Sequence, residues 1–227
     1  MRYFKKYGIL KDIWGVIFME QSYRDKLRNF LKNNSEEDWL TRMTNCSHRI
    51  LTAVCFKESS ENIYEQIGNR LFPCLGFYYA VFHMGVAMLY LDFTTPVDNL
   101  KKIHHEQLKN LINNKLIQKK LIPQDYSKIF NELQKIREFA NYQFGIFESN
   151  VKDLISNICK ETERAFNIAL SYIKEVCAEV ERIYYISFDF IAGYIGDNIG
   201  DDRYKTYFSD IDEKRIIDYL ISKNLTT

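Results

Sequence analysis

Apolar residues recur at helical spacing along most of this chain, and the alternation typical of strands is essentially missing. The clearest run lies between residues 151 and 183, where apolar positions follow one another at steps of three and four. They are Val151, Leu154, Ile155, Ile158, Ala165, Ala169, Ile173, Val176, Cys177, Val180 and Ile183. The pattern predicts one long amphipathic helix here and an all-α fold for the chain.

Capping residues and prolines divide the rest of the chain into further helices. Ser35 followed by Asp38 has the spacing of an N-terminal capping box, and Pro123 suits the first turn of a helix. Ser59 and Ser60 mark a second start before Glu61. The predicted helices cover residues 35–57, 60–93, 98–120, 123–147, 151–187 and 211–222.

One uncharged stretch, residues 71–91, is long enough to cross a membrane. It contains Pro73, His83 and three tyrosines, and charged helical segments flank it. A helix that is apolar on every side can equally lie at the centre of a bundle. We therefore favour a buried helix and expect no membrane span.

Changes in composition and in the pattern of apolar residues divide the chain into three parts. Residues 35–187 are predicted to form an up-and-down helical bundle, and residues 1–34 an N-terminal arm. Residues 188–227 are aromatic and acidic, and they contain glycines at 193, 196 and 200. We expect this last part to be a C-terminal extension that could dock a partner protein.

Composition and charge exclude some classes of protein. Of the 227 residues 46% are hydrophobic, which is too many for a disordered chain, and the net charge is only +1. Residues 101–137 nevertheless carry nine Lys or Arg against three acidic residues. Such a local excess can follow a phosphate backbone, although a solvated helix face has the same composition.

The cysteines give no support for a disulfide framework or a zinc site. There are five, and no two of them form a CxxC pair. We expect small buried apolar side chains in a reducing, cytoplasmic protein. The N-terminal residues lack the pattern of a signal peptide. We expect no cofactor and no metal.

An arginine interrupts the apolar seam of the helix predicted over 123–147. Phe130, Leu133, Arg137 and Ala140 follow helical steps of three and four, so Arg137 stands where an apolar residue is expected. Asn141 lies one turn further on the same side. A guanidinium in this place either pairs with a carboxylate inside the bundle, extends to solvent along its stem, or faces a cleft.

Three stretches of the sequence resemble the HEPN superfamily. They are FYYAVFH at 77–83, KIH at 102–104 and LQKIREFANY at 133–142. The resemblance is to the branch whose members carry a YYAxFH helix followed by an R-x-x-A-[DN]-Y helix. It covers roughly residues 36–148.

The resemblance implies a helical bundle, usually dimeric, found in prokaryotic toxin–antitoxin or antiphage modules. Many HEPN proteins are metal-independent endoribonucleases whose R-x(4–6)-H motif holds the scissile phosphate and moves protons. In this chain the position five after Arg137 is Tyr142, and a phenol with a pKa of about 10 is a poor general base. The candidate catalytic residues are Arg137, Asn141, Tyr142 and His83, and the candidate substrate-binding residues are Lys102, His104 and Lys135.

Two alternatives to an RNA-cleaving effector stay open. A non-catalytic helical subunit of a defence complex would use the bundle as a scaffold and residues 188–227 as a docking element. Some HEPN proteins pair with a nucleotidyltransferase antitoxin that adenylylates a tyrosine, and Tyr142 lies close to Arg137. A second R-x(5)-H match, Arg42 and His48, lies on a different helix and ranks second to Arg137.

Overall fold

The structure is a computed structural model that describes residues 19–67, 71–142, 151–199 and 210–226. Within these ranges the fold is helical and contains no strand, as predicted. The helices are α1 (Gln21–Asn33), α2 (Glu36–Asn62), α3 (Leu71–Tyr90), α4 (His105–Leu111), α5 (Asp125–Tyr142), α6 (Val151–Tyr184), α7 (Asp189–Ile199) and α8 (Asp210–Ser222). Shorter π-helical turns cover Ile63–Ile67 and Ile112–Ile117, and a 3-10 turn covers Val97–Leu100.

The uncharged helix α3 is the central helix of the bundle. It packs against α2, α5 and α6, and side chains such as Phe77, Val81 and Met84 are fully buried. Within the described ranges it is the one helix long and apolar enough to cross a membrane, yet 72% of its apolar window is buried inside the protein. The neighbouring helices supply the apolar surroundings that its composition requires.

Helix α2 begins where the capping pattern predicts but does not end where predicted. The Asp38 amide donates a hydrogen bond to Ser35 Oγ at 3.2 Å. The predicted break at Ser59 and Ser60 is wrong, because the helix continues to Asn62. The Ser60 hydroxyl donates to the Phe56 carbonyl at 2.6 Å, so it is satisfied within the helix and does not cap a new one.

The prediction of one continuous helix over residues 98–120 is also wrong. The chain forms the 3-10 turn, then the short α4, then a π-helical turn that ends before Lys120, whose φ is 56°. The next helix is predicted to begin at Pro123, whereas α5 begins two residues later, at Asp125. The predicted continuation of that helix from 143 to 147 lies outside the described residues.

Helix α6 matches the predicted long amphipathic helix and anchors α1. The carboxylate of Glu179 is fully buried and accepts hydrogen bonds from Arg24, Arg28 and Arg182. Burial alone would raise the pKa of Glu179, but the arginine hydrogen bonds outweigh it and lower the pKa. The described part of the N-terminal arm is therefore a helix tied to the bundle.

The described part of the C-terminal extension also packs on the bundle. Helices α7 and α8 lie against α2, and Ile191, Ile195 and Leu220 are fully buried. The Tyr219 hydroxyl donates to Glu163 at 2.9 Å, and Lys57 Nζ lies 4.2 Å from the centre of the Tyr219 ring. These helices complete the core; docking of a partner by this part of the chain stays a prediction.

Candidate functional site

Helix α5 brings Arg137 against a histidine and a tyrosine from two other helices. Arg137 Nη1 lies 3.2 Å from Nε2 of His105, the first residue of α4. The other ring nitrogen of His105, Nδ1, lies 2.5 Å from the hydroxyl of Tyr78 on α3. The guanidinium also lies 4.9 Å from the centre of the Tyr78 ring. The three side chains form one connected group at the edge of the apolar seam.

The guanidinium fixes both the charge and the tautomer of His105. Arg137 can only donate, so Nε2 must accept, and the single proton of the neutral ring lies on Nδ1 and points to the Tyr78 hydroxyl. Burial lowers the pKa of His105, and the positive charge of Arg137 lowers it further. His105 is thus a neutral imidazole at neutral pH.

Arg137 is partly buried, and no buried carboxylate among the described residues pairs with it. Its side chain is 13% exposed, and the carboxylate within reach is that of Glu138, which is 47% exposed and 4.0 Å away. The Nε atom is buried and has no hydrogen-bond partner among the described residues. A guanidinium in this state retains unused donors, so an incoming anion would gain more here than at a saturated ion pair.

A second arginine–histidine pair lies on a neighbouring part of the same side. Arg49 Nη1 on α2 lies 3.1 Å from Nδ1 of His83 on α3. The His83 ring stacks on Phe56, with centres 5.6 Å apart and planes 9° apart. Burial, and secondarily the charge of Arg49, lowers the pKa of His83 to about 4.

Aromatic rings connect the two pairs. The centre of the Phe82 ring lies 5.5 Å from that of His83 and 5.0 Å from that of His105. Tyr79 lies 6.1 Å from His105 and 5.5 Å from Phe56. We call this surface the arginine–histidine face; it consists of Arg49, Phe56, Tyr78, Tyr79, Phe82, His83, His105 and Arg137.

The two arginines of this face differ from the others that the structure describes. The others form ion pairs or cap helix ends: Arg24, Arg28, Arg164, Arg182 and Arg215 contact carboxylates, and Arg42 donates to carbonyl oxygens. Arg49 and Arg137 instead donate to neutral imidazoles. The face therefore holds two positive charges that no buried carboxylate in the described part of the chain neutralises.

The remaining predicted site residues lie in different places. Lys102, His104 and Lys135 are exposed; His104 precedes α4 without capping it by its side chain, and Lys135 lies two residues before Arg137. Asn141 and Tyr142 end α5, which puts Asn141 one turn beyond Arg137. Their side chains lie outside the described part of the structure.

The basic residues of 101–137 do not form one stripe. Lys115 and Lys119 reach the Thr94 loop, where Lys119, Tyr23 and Phe93 line a surface pocket of about 410 Å³. Lys128 pairs with Asp125 at 3.4 Å. The local charge excess is thus divided between separate surfaces.

The second R-x(5)-H match does not form a site in the structure. Arg42 is buried and donates to the carbonyl oxygens of Tyr90, Asp92 and Thr95, which anchors the loop after α3. His48 Nε2 lies 2.7 Å from the Tyr194 hydroxyl of α7. The two side chains therefore serve different contacts.

Sequence reasoning missed His105, Tyr78 and Arg49 as members of the site. His104 and His105 are adjacent, and neighbouring side chains on a helix point about 100° apart, so one sequence cannot tell which of the two faces the bundle. Tyr78 lies inside the FYYAVFH run, which offered a signal. Arg49 follows His48 in a helix without any motif at that position.

The geometry of the arginine–histidine face indicates which chemistry the site can support. No family model, curated protein or solved structure matches this chain. Among the described residues, no group of three or more His, Cys, Asp or Glu side chains could hold a metal ion. The arginine–histidine face offers guanidinium groups that suit phosphate oxygens and imidazoles that can accept a proton.

Proposed function

We propose that the chain is a HEPN-like RNA-binding protein that acts as a metal-independent endoribonuclease, with Arg137 and His105 at the reacting phosphate. The observation that carries the proposal is the Arg137–His105 contact at 3.2 Å, with no buried carboxylate from residues 19–67, 71–142, 151–199 or 210–226 paired with the guanidinium. In HEPN nucleases the motif histidine moves the protons, and in this chain Tyr142 stands at that position. We assign the role of general base to His105 instead.

The reaction begins with an exchange of partners at Arg137. A phosphate oxygen is a stronger acceptor for a guanidinium than a neutral imidazole, so Arg137 turns from His105 to the scissile phosphate. This frees Nε2 of His105, while Nδ1–H keeps donating its hydrogen bond to the Tyr78 oxygen and holds the ring in place. Tyr78 is a positioning residue in this scheme.

The freed imidazole then acts as the general base. His105 Nε2 takes the proton of the ribose 2′-hydroxyl, and the 2′-oxygen forms a bond to phosphorus. The bond from phosphorus to the 5′-oxygen breaks, and that oxygen takes a proton from Tyr142 or solvent. Arg137 stabilises the negative charge that develops on the phosphate. The products are a 2′,3′-cyclic phosphate and a 5′-hydroxyl end.

The proposal extends to the setting of the protein. The resemblance to HEPN proteins supports a cytoplasmic homodimer within a prokaryotic toxin–antitoxin or antiphage module. A nucleotidyltransferase antitoxin is a candidate partner in such a module, and Tyr142, five residues after Arg137 in the sequence, is the candidate tyrosine for adenylylation.

Removal of Arg137 tests this function. We expect Arg137→Ala and His105→Gln to reduce the rate of RNA cleavage by about 10²-fold to 10⁴-fold, the usual contribution of a general base or a charge-stabilising donor. The control is Arg164→Ala, because Arg164 pairs with Asp125 away from the face. Product ends are identified by mass spectrometry. Cleavage that survives both site substitutions would refute the assignment.

A non-catalytic binding module is the second candidate. Both ring nitrogens of His105 already have partners, which suits a residue that only organises a binding surface. In that case the wild-type protein binds single-stranded RNA or a protein partner without cleaving RNA, and Arg137→Ala weakens binding alone. Binding and cleavage measured on the same preparation separate the two functions.

A further inference from the structure

We propose that Arg49 forms a second phosphate subsite, so that single-stranded RNA crosses the arginine–histidine face with one phosphate on Arg137 and another on Arg49. The inference rests on the proposed function, because it gives the substrate of the same site a path across the protein and a minimum length. It concerns residues that lie outside the HEPN-like motif around Arg137.

Arg49 brings a second positive charge to the arginine–histidine face. Arg49 is half-buried, donates to His83 at 3.1 Å, and has no ion pair among the described residues. His83 cannot neutralise it, because burial keeps that ring uncharged. A positive charge held by a neutral acceptor can exchange that acceptor for a phosphate oxygen, as proposed for Arg137.

Aromatic rings lie on the arginine–histidine face and beside it on α3. Phe56 is 37% exposed, Phe72 on the same side of α3 is 58% exposed, and Tyr79 is half-buried. Phe72 and Tyr79 are seven residues apart and therefore lie on one side of the helix, two turns from each other. Exposed aromatic rings beside cationic groups are the usual platform for unpaired bases.

Positive charges beside exposed aromatic rings favour single-stranded RNA over a second copy of the chain as the occupant of this face. A symmetric contact centred on Arg49 would bring two unneutralised guanidinium groups together, where like charges repel, so the homodimer proposed above would leave Arg49 open to substrate. The acidic groups near Arg137 and His105 are Glu138, which is 47% exposed, and Glu106, which is exposed. A duplex keeps its bases paired and cannot place them on the rings.

Substrates of two lengths test the subsite. We compare a dinucleotide, which has one phosphodiester, with a pentanucleotide, using the full-length protein, fluorescence anisotropy and cleavage assays. For Arg49→Gln we expect roughly 10-fold weaker binding of the pentanucleotide, typical of one lost charged hydrogen bond, and a smaller loss for the dinucleotide, whose single phosphate can still bind Arg137. The slope of log affinity against log salt should fall by about 0.7. The matched control is Arg164→Gln.

A second pair of variants separates a loss of RNA binding from a loss of folding. Arg49→Lys keeps the charge and should retain most of the pentanucleotide affinity, whereas Tyr79→Ala should lower it by about 5-fold or more through lost stacking. Circular dichroism and thermal unfolding identify any variant that is not folded. Equal affinity of wild type, Arg49→Gln and Tyr79→Ala for the pentanucleotide would overturn the subsite.

The outcomes distinguish this inference from the proposed function. If the wild-type protein binds the pentanucleotide without cleaving it and Arg49→Gln weakens binding, the subsite stands and the nuclease assignment fails. If cleavage depends on Arg137 and is indifferent to Arg49 at both lengths, the nuclease stands and the subsite fails. A change in the solution mass of Arg49→Gln with unaltered RNA affinity would assign this face to contact between copies and overturn the subsite.

Discussion

At the scale of the residue, two guanidinium groups each hold a neighbouring imidazole uncharged. His83 and His105 accept from Arg49 and Arg137, and burial acts in the same direction as the adjacent positive charge. Neither arginine pairs with a buried carboxylate within the described ranges. The same contact thus gives a proton acceptor at neutral pH and a cation that is available to an anion.

The stability of the fold should depend on pH through His83. Its pKa is about 4 in the folded protein and about 6.5 in an unfolded chain, so the unfolded state takes up the proton first as pH falls. The stabilisation is complete above pH 6.5 and is lost as pH falls towards 4. We expect the free energy of unfolding to drop by roughly 2 kcal/mol between pH 7 and pH 5 from this group.

Urea unfolding of two variants measures that effect. His83→Gln removes the titrating group and should flatten the dependence between pH 7 and pH 5 relative to wild type. His104→Gln is the matched control, because His104 is exposed at the start of α4 and should leave the dependence intact. Identical pH dependence in wild type and His83→Gln would contradict the assignment.

The sequence predicted the unusual residue of the site but not its partner. Arg137 could be found because helical spacing puts it on an apolar seam between Leu133 and Ala140. His105 could not, since it lies on α4, a helix of seven residues that the sequence merged into a longer one. Contacts between residues 32 positions apart depend on packing that no local pattern records.

At the scale of the element, the close approach of α2 and α3 depends on a glycine. A Cβ atom at position 76 would lie 1.8 Å from Ser60 Oγ and 3.2 Å from the carbonyl oxygen of Phe56. The helices can therefore touch at this point only with the hydrogen of Gly76. This contact holds Phe56 of α2 beside Tyr79 and His83 of α3.

Two glycine substitutions of opposite sign test the contact. We expect Gly76→Ala to destabilise the protein by about 1–3 kcal/mol, because the methyl group forces the helices apart. At Gly193 of α7 a methyl group would meet no atom within 4 Å, so Gly193→Ala should stabilise the protein by about 0.5–1 kcal/mol through helix propensity. Denaturant unfolding measures both, and destabilisation of equal size in the two variants would contradict this account.

Periodicity predicted the helices better than it predicted their ends. The uniform spacing of α6 and the Ser35 cap of α2 are local properties, and both agree with the structure. The break expected at Ser59 failed because a serine hydroxyl can be satisfied either by capping or by a carbonyl one turn back. Helix α7 was not predicted, since its glycines weaken the local signal while burial of Ile191 and Ile195 supports the helix.

At the scale of the whole molecule, ion pairs and apolar contacts tie both ends of the described chain to one bundle. Glu179 joins α1 to α6, and Arg215 of α8 reaches Glu65 at 2.7 Å beyond the end of α2. The arginine–histidine face is built from α2, α3, α4 and α5. Its geometry thus depends on the packing of the central helices, whereas Lys115 and Lys119 lie elsewhere, beside Thr94.

The location of bound RNA on the whole molecule tests the central claim most directly. The measurement is ¹⁵N NMR of the full-length protein titrated with a pentanucleotide whose 2′-hydroxyl is replaced by hydrogen at the scissile position, which prevents cleavage. We expect the Nε2 resonance of His105 to shift as Arg137 leaves the imidazole for phosphate, while the Nδ1 proton remains bonded to Tyr78. Perturbations confined to the surface around Lys115 and Lys119, with the His105 ring resonances unchanged, would contradict the account.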